Sequence, residues 1–135
     1  MTRGIRNNNP LNLELGAQWQ GLREEQTDGR FCQFVAPEWG IRAAVKILLT
    51  YGKKYGLNTV RKIIFRWAPP SENDTESYIK VVAKGVGVAS DDALDQSDPQ
   101  VLLPLLKAMI RQENGKQPYD DATLEKAMAL ADIKI

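Results

Sequence analysis

One carboxylate stands where stability alone would not put it. In the stretch Val101 to Gly115 (VLLPLLKAMIRQENG), Leu102, Leu105, Leu106, Met109 and Ile110 recur at three- and four-residue steps, the spacing of one face of an α-helix. Glu113 follows Met109 by four residues and so falls on that inward face, and Gly115 supplies the stop. A carboxylate there meets the negative end of the helix dipole and loses part of its hydration. Both effects favour its protonated form, which is what a general acid requires.

Helices are expected to make up most of what positions it. Pro37 and Glu38 open a helix through about Tyr55, with Trp39, Ala43, Ile47 and Tyr51 as its stripe. Ile41, Val45, Leu48 and Leu49 widen that stripe, so this helix is expected to be central and largely buried. Gly56 ends it. Asn58 is expected to cap a second helix, Thr59 to about Trp67, stopped by Pro69-Pro70. Asn73 or Asp74 caps a third, through about Lys84, with Tyr78, Ile79, Val82 and also Val81 facing inward and Gly85 after it. Asp98-Pro99 opens the helix that carries Glu113; Pro104 inside it predicts a kink or a later start. Asp120 or Asp121 caps a last helix, about Ala122 to Asp132. Ahead of all these lies an irregular part. Two short segments, Ala17–Leu22 and Arg30–Val35, flank Thr27-Asp28-Gly29, and Asp-Gly between aromatic and β-branched residues predicts a β-hairpin. The expected fold is mainly α with this small β element (α+β): one domain over residues 1–135, with a loop and hairpin lobe at 1–35 and a helical lobe at 36–135.

Three stretches together resemble the lysozyme-like superfamily, in particular the soluble lytic transglycosylases that cut peptidoglycan. Ala108-Met109-Ile110-Arg111-Gln112-Glu113-Asn114-Gly115 looks like that family's catalytic helix end, an apolar run followed by Gln-Glu-Ser-Gly, with Asn114 in place of the Ser. Pro37 to Tyr55 is similar to the core helix that follows the family's β-lobe. Pro70 to Val82 looks like its Pro-x-Glu-Thr-x-x-Tyr-Val-x-x-Val segment, with one inserted residue before the Thr. The loop Arg6-Asn7-Asn8-Asn9-Pro10-Leu11-Asn12-Leu13, with Trp19-Gln20-Gly21 after it, resembles phage virion-associated and endolysin-like proteins, and the Asn-Leu-Phe-Gly loop of glucosaminidases in the same superfamily. In the family the catalytic helix comes first; here it comes last, the order of a circular permutation.

The resemblance implies a phage-type enzyme that cleaves the β-1,4 bond between N-acetylmuramic acid and N-acetylglucosamine, as a lytic transglycosylase or muramidase. Glu113 would be the acid and base, and Tyr78 matches the family's Tyr beside the catalytic Glu. Glu72 matches the family's Pro-x-Glu position and reads equally as a solvated loop charge. A hydrolytic enzyme places a second carboxylate across the cleft. Asp28, Glu24, Glu25 and Glu14 are the candidates, although Asp28 reads first as a turn residue before Gly29. The amides of Asn7, Asn8, Asn9 and Gln20 suit sugar hydroxyls and N-acetyl groups, and also suit turns. Trp19 is the better sugar-stacking candidate; Trp39 and Trp67 read as core.

Composition narrows the field. The chain has no His, which excludes Ser-His-Asp and Cys-His catalysis and His-ligated metals; no cofactor or metal is expected. Cys32 is alone, so no internal disulfide forms. Lys and Arg number 18 against 17 Asp and Glu, for a formal charge of +1, and no nucleic-acid partner is expected. No apolar run reaches membrane-spanning length, and MTRGIRNNNP is not a signal segment. The expected partners are peptidoglycan strands and, if the chain is particle-borne, phage virion proteins. The expected location is the virion, or the host cytoplasm with action at the cell wall. The competing reading is a non-catalytic virion protein that keeps a lysozyme-like fold.

Overall fold

The computed structural model describes residues 1–134; Ile135, the last residue of the expected 1–135 domain, lies outside the described residues. Six helices follow in order: α1 (Arg3–Arg6), α2 (Pro37–Tyr55), α3 (Val60–Trp67), α4 (Thr75–Val86), α5 (Pro99–Asn114) and α6 (Asp121–Leu130). Local chemistry sets their limits. The Thr59 hydroxyl, rather than Asn58, accepts from Lys62 N and starts α3. Asp74, Asp98 and Asp120 cap α4, α5 and α6 in the same way. α4 runs on to Val86, past the expected stop at Gly85. Gly87 supplies the left-handed cap, while Gly85 allows close approach to α5, since a Cβ there would lie 2.9 Å from that of Ala108. Pro104 sits inside a single helix that already begins at Pro99.

The five residues of the expected inward stripe of α5, Leu102, Leu105, Leu106, Met109 and Ile110, are each wholly buried, whereas Val81 of α4, also expected to face inward, is 42% exposed. In closest backbone approach, α4, α6 and α1 all pack on α5, whereas α2 pairs with α6. The hub is therefore α5 and not α2. The face that α2 gives to the core is Gly40, Ile41, Ala44, Val45 and Leu48, with Ala43 beside it. Trp39, Ile47 and Tyr51, expected as its inner stripe, are half-buried. Trp67, also expected in the core, is half-buried as well.

The expected β-hairpin lobe is not there. Among the described residues the fold is all-helical, with no strand or sheet, which overturns the α+β lysozyme-like class. Two isolated antiparallel bridges stand in its place, Glu14↔Phe31 and Leu22↔Phe34. They show why no ladder forms. The segment around Phe31–Phe34 pairs one residue with each of two different neighbours instead of folding back on one. Side chains then take the backbone bonds a ladder would have used: Gln33 N donates to Gln26 Oε1, and Gln26 Nε2 donates back to Gln33 O, both at 2.8 Å. The Asp28 carboxylate likewise accepts from the Arg30 and Phe31 amides, so Asp28-Gly29 closes a side-chain turn rather than a two-residue hairpin.

Asn9 is the centre of this irregular lobe. It is fully buried, donates to the carbonyls of Leu13 at 3.0 Å and Cys32 at 2.9 Å, and accepts from Leu13 N at 3.0 Å. Such an amide stabilises by satisfying groups that water cannot reach. Asn9→Ala should lower the unfolding free energy by about 2–3 kcal/mol, because the Cys32 carbonyl and the Leu13 amide lose the partner Asn9 gives them, while Leu13 O keeps the Cys32 amide. Urea denaturation checks this; an unchanged midpoint would return Asn9 to the list of ligand contacts.

Candidate functional site

Glu113 is the last residue but one of α5, and Gly115 in the left-handed region turns the chain away behind it. The carboxylate is half-buried and held on both oxygens: Asn12 Nδ2 donates to Oε1 at 3.1 Å and Tyr78 Oη donates to Oε2 at 3.0 Å. Both donors are neutral. Tyr78 is 3% exposed. Burial, then the neighbouring Glu113 charge, then the hydrogen bond itself hold its phenol well above the usual tyrosine range, so it remains a donor. Sequence reasoning paired Tyr78 with Glu113 through the family's segment; it did not find Asn12. Asn12 takes a positive φ of 55°, a conformation Asn tolerates better than most residues. That tolerance, and the place of Asn12 in the family-like loop Arg6 to Leu13, were the signals available.

Asn12 reaches Glu113 because the next residue on α5 holds its loop. Asn114 Nδ2 donates to Pro10 O at 2.8 Å and to Ile110 O at 2.9 Å, while its Oδ1 accepts from Thr2 Oγ1 at 2.6 Å. A serine has one donor and could not make this three-way clamp. Gly4 completes the junction. A Cβ on it would stand 2.9 Å from Asn9 O, 3.0 Å from Asn114 Oδ1 and 3.1 Å from Asn12 Oδ1.

Asn12 is also a wall of a groove. Its inner part, about 340 Å³, is lined by Asn12, Leu13, Glu14, Trp19, Tyr51 and Trp67 among others. Through Trp19, Ile47 and Tyr51 it continues into an outer part of about 510 Å³ that adds Gln18, Gln20, Arg42, Lys46 and Tyr55. Tyr51 and Trp67 meet edge to face at 6.1 Å, and the Arg66 guanidinium lies over Tyr51 and Tyr55 at 5.9 and 5.2 Å. The half-buried stripe of α2 is thus the groove floor. Trp39 lies apart, covered by the backbone of Gly21.

The remaining sequence candidates divide. Trp19 and Gln20 line the groove. Asn8, with φ 53°, donates to Phe34 O at 3.1 Å and holds the loop, as Asn9 does; Asn7 donates to Asp28 and accepts from Gln33. Glu72 is exposed in the α3–α4 loop, outside the groove lining. Of the second-carboxylate candidates only Glu14 lines the groove, and it pairs with Arg30 at 3.1 Å; Glu24 and Glu25 are exposed. Asp28 is engaged by Arg3 through two nitrogens, by Asn7 and by two backbone amides, and its side chain is 5% exposed. The Arg3 bond first, then the Phe31 and Asn7 bonds, hold its carboxyl far below the usual range. No cluster of three or more His, Cys, Asp or Glu is placed to hold a metal among the described residues.

A carboxyl whose folded pKa is depressed contributes stability above its unfolded value, and that contribution disappears as pH falls below it. The denaturation midpoint should therefore drop as pH falls through about 4, the unfolded Asp value. Asp28→Asn should start lower at neutral pH and show a flatter acid limb, measured by thermal melts from neutral pH to pH 3. An equally steep limb in the variant would remove Asp28 as its source.

No family model matches the chain. It is 46% identical over 129 residues to Protein P5 of Pseudoalteromonas phage PM2, an alignment that covers 92% of this chain and 78% of that bacteriophage protein. An identity this high over this share of both chains is common descent: the chain belongs to the family of phage PM2 Protein P5.

Proposed function

We propose that the chain cleaves the glycan strands of peptidoglycan between N-acetylmuramic acid and N-acetylglucosamine, with Glu113 as acid and then base. The observation that carries this reading is one carboxylate held between Tyr78 and Asn12, with Asn12 in the wall of an aromatic groove. The flat faces of Trp19, Tyr51 and Trp67 suit sugar rings, and the amides of Gln18 and Gln20 suit N-acetyl groups and hydroxyls. The motifs around Glu113 and Tyr78 support the same chemistry.

In the reaction Glu113 gives its proton to the glycosidic oxygen as the C1–O bond breaks and charge builds on the ring. The carboxylate then takes a proton from the 6-hydroxyl of the same sugar, whose oxygen bonds to C1 and leaves a 1,6-anhydro end. Tyr78 and Asn12 keep the carboxylate in one orientation through both transfers, so little reorganisation is needed. A single-carboxylate route is favoured because Asp28 is fully engaged by the lobe. A second reading, a non-catalytic virion protein, is favoured by the phage origin of the relative.

Glu113→Gln should fold normally and lose cleavage of purified cell walls by at least about a hundredfold, the usual contribution of a general acid-base group. A cleared zymogram band of full strength from this variant would reject Glu113, and no band from the wild-type protein would favour the virion reading. Tyr78→Phe should lower kcat by about tenfold while costing only about 1 kcal/mol of stability, since Asn12 still holds the carboxylate. Mass spectrometry of the digest should find ends lighter by one water than reducing ends.

A further inference from the structure

The groove is chemically uneven along its length. The inner part carries Glu14 and ends at Asn12, beside Glu113. The outer part is lined by Gln18, Trp19, Gln20, Arg42, Lys46, Ile47, Thr50, Tyr51 and Tyr55, which include two cations and no carboxylate. Arg42 and Lys46 stand one turn apart on α2 and so share a face. By helix rise Arg42 lies about 14 Å along the axis from Tyr51. Neither cation is consumed by its neighbours. Arg42 Nε donates to Leu130 O at 3.2 Å, one of five guanidinium donors. Its guanidinium also lies 5.9 Å from the Trp39 ring centre. Lys46 meets Asp132 only at 3.5 Å, and the Asp132 side chain is 89% exposed. An exposed pair at that distance contributes little and exchanges readily for a better acceptor.

We propose that the outer groove is a carboxylate subsite, in which Arg42 and Lys46 bind an acidic group carried on the glycan strand. The proposal rests on the glycan reading above and adds substrate selection to it. A strand bearing carboxylates is attracted to one end and repelled by Glu14 and Glu113 at the other, so charge sets both preference and register along the groove. A neutral β-1,4 strand of N-acetylglucosamine uses the aromatic floor and the amides of Gln18 and Gln20 but not the two cations. Acidic groups on peptidoglycan come from two sources, the lactyl ether of N-acetylmuramic acid and the peptide stem, and both offer the carboxylate that a guanidinium and an ammonium take.

Binding is the readout, on a Glu113→Gln background so that strands stay intact. The three probes are stem-bearing strands, strands stripped of stems by an amidase so that the lactyl carboxylate is freed, and a chitin hexamer. Arg42→Gln with Lys46→Gln should weaken binding of one or both acidic probes roughly five- to tenfold at low salt, with the difference shrinking as salt rises, and leave the chitin hexamer within about twofold. Whichever acidic probe responds identifies the source. Because Arg42 also ties α2 to Leu130, Lys46→Gln alone, with Lys46→Arg as rescue, repeats the test without that bond. Equal weakening on all three probes, or none on either acidic probe, overturns the subsite while leaving the glycan reading intact. Binding of no probe at all by the starting protein overturns both.

Discussion

The side-chain amide of Asn114 is the constraint on which the site depends. It ties the end of α5 to Pro10 and Thr2, residues more than a hundred positions earlier in the chain. Without it, Asn12 would have no fixed place relative to Glu113, and the groove wall would not meet the carboxylate. The position is 8% exposed, so the clamp works where water does not compete for the same donors and acceptors. Such a buried node is demanding: each of its groups must be satisfied, and the absence of a side chain at Gly4 is what lets three oxygens converge there.

The same logic runs through the first 35 residues. A sheet would have satisfied their backbone by repetition. Here scattered backbone bonds are completed one group at a time by the side-chain amides of Asn9, Gln26 and Gln33. Three of the four amides that looked suited to sugar, Asn7, Asn8 and Asn9, are therefore spent on the chain itself, and Asp28 joins them as an anchor for Arg3 and Asn7. On the proposed glycan reading, recognition falls instead to the groove residues further along, at Gln18–Gln20 and on the outer face of α2.

The helices were legible because their signals are local. Asp74, Asp98 and Asp120 cap where short polar residues precede apolar periodicity, and the inner stripe of α5 is wholly buried. The groove was not legible, because α2 is apolar on more than one face. Periodicity alone does not say which stripe meets the core and which is left half-open, and Ile47 and Tyr51 belong to the second kind. The lobe was misread for a related reason. Asp-Gly is a strong hairpin signal only when the flanking segments pair along their length, and here they meet at the single bridge Leu22↔Phe34 while Phe31 pairs with Glu14 instead. Asn12 escaped because its relation to Glu113 spans 101 positions and leaves no trace in spacing.

That separation also bears on how the site behaves. A carboxylate and its two donors drawn from α5, α4 and the N-terminal loop come together only when the whole chain has closed, since each contact costs the entropy of a long loop before it contributes. The site is thus as stable as the fold, with Tyr78 locked inside it, whereas the groove beside it is lined by half-buried rings and exposed amides. A rigid carboxylate site joined to an open groove is the division of labour that the proposed cleavage of a long repetitive polymer calls for. For that proposed reaction the carboxylate has to be oriented before the substrate arrives, and the strand has to enter anywhere along its length.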